Sequence, residues 1–128
     1  MFKFIKTRVT QFDFDFPEND LSQLSGICNI SVRIGIPETD PQAPVKCRIV
    51  VLYQSHTEGE FYLKMVATFD FSSDIVYADK DEYCKAVNSE CVPIAMDKVR
   101  ILISNTTKQF YGFPVVLPIG ADDNWEVH

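Results

Sequence analysis

The chain has 128 residues, 46% of them hydrophobic, and a formal net charge of −6. This length and apolar content fit one domain, residues 1–128, with a single core, and they exclude a disordered chain. The acidic balance, with lysines and arginines scattered along the chain, argues against a nucleic-acid partner, and no apolar run approaches the ~20 residues of a membrane span.

The N-terminal MFKFIKTRVTQ reads as a strand rather than a signal peptide. Polar residues interrupt its apolar positions, and it has no small-residue cleavage site. A cytoplasmic location is the corresponding expectation. Strand one is predicted from about Lys3 to Phe16. Its end, Phe12-Asp13-Phe14-Asp15-Phe16, alternates strictly, so the phenylalanines share one face and the aspartates the other. A polar loop follows to Gly26. Strand two spans Ile27–Ile36, with Cys28, Ile30, Val32 and Ile34 on one face. Three prolines between Pro37 and Pro44 enforce a loop.

Strand three is predicted over Val45–Gln54. Cys47, Ile49, Val51 and Tyr53 face inward, and Lys46 and Arg48 face outward. Val50 and Leu52 break the alternation, which points to partial cover on both faces. Residues 55–59 form a hairpin loop, and strand four spans Glu60–Phe71, with Lys64 directed outward. Short connections predict an antiparallel meander.

After a connector over 72–78, Asp79 and Glu82 have the spacing of a capping box, and a short helix is expected to end near Ser89. A long amphipathic helix is predicted from Val92 to Thr106, with Pro93 in its opening turn and a stop by Gly112. Its stripe of Val92, Ala95, Met96, Val99, Leu102 and Ile103 is wide enough to cover a sheet. The expected class is α+β: a four-stranded antiparallel sheet with a short and a long helix packed on one face.

Catalytic and metal chemistry find little support. Asp13 and Asp15 are paired, but no third acid or histidine joins them, so a solvated sheet face is the simpler reading. Cys28, Cys47, Cys84 and Cys91 form no C-x-x-C pair, which leaves reduced thiols as the expectation. A nucleophilic Cys84 or Cys91 has no histidine placed to activate it. The glycines are scattered, so no phosphate loop exists, and neither cofactor nor metal is expected. The aromatic residues Phe69, Phe71, Tyr77, Phe110, Tyr111 and Phe113 gather around the connectors that flank the helix. Such a cluster caps a core or lines a groove that accepts apolar side chains.

Several short motifs, taken in order, resemble the SecB family of protein-export chaperones. Phe14-Asp15-Phe16-Pro17 is similar to the family's Phe-Glu-x-Pro. Phe61 and Phe71 stand at a family-like distance, Cys91 opens the helix, and Arg100 falls where the family's helix carries an arginine. Gly112-Phe113-Pro114 and Leu117-Pro118-Ile119 look like its Phe-Pro and Leu-x-Pro-Ile signatures. The resemblance implies an ATP-independent chaperone that binds unfolded or partly folded chains in a groove. It also implies a homo-oligomer, dimer or tetramer, joined through sheet edges and through the long helices, with Val92, Met96, Val99 and Ile103 as the contact, that passes preproteins to the SecA motor. Two departures shape the expectation. The family's further helix has no counterpart after Ile119. Gln11 and Lys64 stand where the family carries acids, although Asp15 keeps its charge. The docking face formed by Gln11, Asp13, Asp15 and Lys64 is therefore expected to hold SecA weakly. The alternative is a module of the same fold that serves one fixed protein, such as a toxin–antitoxin pair.

Overall fold

The computed structural model describes residues 2–16, 26–37, 43–55, 61–73, 79–112, 114–115 and 126–127. Strands β1 (Phe2–Asp15), β2 (Gly26–Gly35), β3 (Val45–Ser55) and β4 (Tyr62–Ser73) are followed by helix α1 (Lys80–Tyr111) and a two-residue strand, β5 (Glu126–Val127). The sheet order is β1-β4-β3-β2-β5. The four long strands are antiparallel, and β5 adds in parallel to β2 at Ser31 and Val32. The architecture is the expected α+β sheet with helix. Of the hairpin loop expected at 55–59, Ser55 ends β3 and the rest lies outside the described residues.

The meander is corrected. β1 pairs with β4 rather than with β2, so β2, β3 and β4 form consecutive hairpins and β1 lies beside the last, a Greek-key arrangement. This order makes β4 a central strand. Leu63, Met65, Ala67, Phe69 and Phe71 on its inner face are fully buried, and Val66 and Asp70 on its outer face are nearly so. The inner face of β3 contributes Val45, Cys47, Ile49 and Val51 to the same core.

β1 holds its pattern through two register shifts, one between Phe4 and Lys6 and one between Val9 and Gln11. Each inserts an extra residue, Ile5 and then Thr10, and each flips the parity of the strand. Phe2, Phe4, Thr7, Val9, Phe12 and Phe14 consequently share the helix side. Lys3, Lys6, Arg8, Gln11, Asp13 and Asp15 share the outer side. Gly26 opens β2 where a Cβ would overlap the Gln54 carbonyl oxygen and the Phe61 ring, so only glycine allows this approach.

The two expected helices are one. α1 runs through Ser89 and past Pro93 without a break. Pro93 lacks the N–H that would reach the Ser89 carbonyl, a loss of about 3 kcal/mol in a helix interior. Val87, Cys91, Val92, Ala95, Met96, Val99 and Ile103 are all 0% exposed. Each large buried side chain contributes about 1.5–3 kcal/mol, so burial on both sides of the proline carries the helix across it. Asp79 caps the start by accepting the Asp81 N–H at 2.9 Å. Gly112, at φ 80°, ends the helix and donates its N–H to the Lys108 carbonyl at 2.8 Å.

The chain beyond the helix is pinned by Thr107. This fully buried residue donates its hydroxyl to the Ile103 carbonyl at 2.7 Å and accepts the Val115 N–H at 2.8 Å.

Candidate functional site

The helix stripe is spent on the sheet. Val92, Met96, Val99 and Ile103 have no exposed surface, so their expected role as an oligomer contact is revised. Besides Phe110 near its end, the large apolar side chains that α1 leaves open among the described residues are Ile94 at 40% and Ile101 at 58% exposure. They stand seven residues apart and therefore lie on one side of the helix.

The aromatic cluster divides in the same way. Phe69 and Phe71 are 0% exposed beneath the helix, because strand parity turns both toward the core. They cannot line a groove in this fold. Tyr77 and Phe113 lie outside the described residues, and Tyr111 is placed only as the last residue of α1. Phe110 stands out, at 72% exposure on the final turn of the helix.

Phe110 has company that the sequence reading passed over. Its ring meets Phe14 edge-on at 5.5 Å, and Phe14 meets Phe12 at 5.1 Å in a similar tilt. Both are favoured aromatic geometries. Phe12 and Phe14 are only half-buried, and Val9 on the same face of β1 is 43% exposed. The helix-side margin of β1 is thus an apolar ledge that α1 covers incompletely. The signal for it was the Phe-Asp-Phe-Asp-Phe alternation, which identified a face but not how far the helix would cover it. Phe16 turns away from the ledge and stacks on Phe61 at 5.3 Å, which closes the end of the core.

On the opposite side of the sheet, Gln11, Asp13, Asp15 and Lys64 share the outer face as expected. Asp13 is the cross-strand partner of Lys64, and Gln11 donates its side-chain amide to Asp13 Oδ2 at 2.6 Å. Asp70, nearly buried on this face, pairs with Lys46 at 3.5 Å.

Two of the thiols, Cys28 and Cys91, are poor nucleophiles. Cys91 is fully buried, and a hydrogen bond with Cys47, reinforced by burial, pushes its pKa upward. Burial pushes the Cys28 thiol up to about 11, with a partial offset from Arg100. Arg100 donates Nη1 to Asp97 Oδ1 at 3.3 Å, while its Nε and Nη2 are buried without a hydrogen-bond partner. Among the described residues no group of three His, Cys, Asp or Glu side chains is placed to hold a metal ion. No described helix is long and apolar enough to cross a membrane.

No family model matches the chain, and no curated protein matches it by sequence. Solved structures do match its fold. One is the Mycobacterium tuberculosis Rv1957 SecB-like chaperone, in complex with a ChAD peptide from the Rv1956 HigA1 antitoxin. That similarity has a TM-score of 0.64 at 12% identity and covers 93% of this chain and 87% of the other. Another is a protein of unknown function from Streptococcus agalactiae, with a TM-score of 0.52 at 11% identity, covering 93% of this chain and 98% of that one. The SecB-like fold is common ground; at these identities the likeness is one of fold alone.

Proposed function

We propose that this chain is a polypeptide-binding module of the chaperone type, which holds extended or unfolded segments without ATP and without chemistry of its own. The observation that carries the reading is the ledge on which Val9 and Phe110 are exposed and the part-buried rings of Phe12 and Phe14 lie between them, beside a well-packed core. Aromatic surface of this kind accepts apolar side chains with little demand on geometry. The fold it shares with a chaperone captured with a peptide supports the same reading.

Whether it takes many clients or one fixed protein separates the two forms of the proposal. A homo-oligomer, dimer or tetramer, suits both. Ile94 and Ile101 offer an apolar contact on the helix, and the outer edge of β1 has no strand beside it among the described residues. Docking to SecA in a cytoplasmic export route is proposed to be weak, since the outer face that carries Gln11 and Lys64 holds more lysines and arginines than acids. The test is suppression of aggregation of a denatured protein without nucleotide, compared between the wild type and Phe110→Ser. Protection that the substitution leaves unchanged would remove the ledge from the mechanism.

A further inference from the structure

The chain is acidic, yet its positive charge is gathered on one surface. Register places Lys3, Lys6 and Arg8 of β1, Arg33 of β2, Lys46 and Arg48 of β3, and Lys64 of β4 on the outer face of the sheet. These are seven of the twelve lysines and arginines. Four strand acids, Asp13, Asp15, Asp70 and Glu126, share that face by register, which leaves it with a formal charge of +3 in a chain of −6.

The arrangement is not neutralised internally. Asp70 takes Lys46, and Asp13 sits opposite Lys64. Arg33 and Arg48 are direct cross-strand partners, both exposed, and neither has an ion pair among the described residues. Like charges directly opposed across a ladder destabilise it unless an anion lies between them. A hollow lined by Ser31, Arg33, Arg48 and Val50 lies at that point. Its lining offers two guanidinium forks and a hydroxyl beside one apolar side chain, Val50.

We propose that this outer face docks an acidic segment of polypeptide in extended form, with a carboxylate seated between Arg33 and Arg48. Arginine forks bind carboxylates through two parallel hydrogen bonds. An extended peptide presents alternate side chains every ~6–7 Å. Lys46 and Arg48, and likewise Lys6 and Arg8, follow the same two-residue spacing. Nucleic acid fits less well. Duplex phosphates recur about every 1.7 Å, and a continuous run of them would cross Asp13, Asp15 and Asp70. The site lies on the opposite face from the ledge of Phe12, Phe14 and Phe110, so it stands or falls independently of that surface.

The experiment is fluorescence anisotropy at 50 and 200 mM salt. The probe is a labelled twelve-residue peptide of alternating glutamate and valine, beside a lysine–valine peptide and a single-stranded oligonucleotide of equal charge. The glutamate peptide should bind, and its affinity should fall several-fold at the higher salt. Arg33→Gln with Arg48→Gln should weaken it at least tenfold, while Lys85→Gln on the helix should leave it within twofold. The double variant should also melt no lower than the wild type, because it relieves repulsion; that result confirms that the loss of binding is not unfolding. No binding of the glutamate peptide at 50 mM salt would overturn the proposal. So would equal affinity in the double variant, or tighter binding of the oligonucleotide.

Discussion

Phe110 leans edge-on against Phe14 at 5.5 Å and still leaves 72% of its surface open. The contact fixes the ring at the end of α1 without burying it. An aromatic residue held in place at an interface loses little conformational freedom on binding, which is what a contact surface requires.

Phe110→Ser should therefore separate binding from stability. Client affinity should fall about five- to thirtyfold, from a loss of ~1–2 kcal/mol of aromatic contact. Stability should change by no more than about 0.5 kcal/mol, as for other exposed positions. Urea unfolding beside a client-binding titration measures both. A large loss of stability would mean that Phe110 belongs to the core.

Val99 and Ile101 should respond in opposite ways to the same change. Val99 is 0% exposed against the sheet, so Val99→Asp buries an unpaired carboxylate at a cost of several kcal/mol and should unfold the chain. Ile101 is 58% exposed, so Ile101→Asp should leave the fold intact and shift the assembly toward monomer. Circular dichroism and light scattering on the two variants check the pair. A folded, dissociated Val99→Asp would restore the stripe as the oligomer contact.

The stripe also shows what the sequence could and could not convey. Helical period identified Val92, Met96, Val99 and Ile103 as one face, and that face exists. Period does not say whether a sheet or a second helix covers it. The same limit applies to Phe69 and Phe71, whose shared face follows from strand parity but whose burial depends on the helix above them. The division at Ser89 and Pro93 was misread because proline's local cost is visible in sequence, while the tertiary burial that offsets it is not. β1 joining β4 was hidden for a related reason: loop length constrains neighbours in the chain and says nothing of a long return connection. The basic outer face was half legible. Alternation turned Lys46, Arg48 and Lys64 outward, but strand order was needed to set Arg33 against Arg48 and to add Lys3, Lys6 and Arg8.

Pro93→Ala should stabilise the protein by about 1–3 kcal/mol, since it restores a donor to the Ser89 carbonyl within a continuous helix. Thermal unfolding measures the gain. A loss of stability would show that the ring's packing outweighs the missing hydrogen bond.

Thr107→Val should cost about 1–3 kcal/mol, because the Val115 N–H would be left buried without its acceptor at 2.8 Å. Thr107→Ser keeps the hydroxyl and should cost less. Equal losses in the two variants would assign the effect to the methyl group instead of the hydrogen bond.

The most direct test is site-specific photo-crosslinking to a denatured client. Benzoylphenylalanine placed at position 110 and at position 9 should capture the client without nucleotide, and the same probe at position 85, exposed on the helix, should capture little. Crosslinks at 85 equal to those at 110 and 9, or none at all from the ledge, would contradict a polypeptide-binding surface along the helix-side margin of β1.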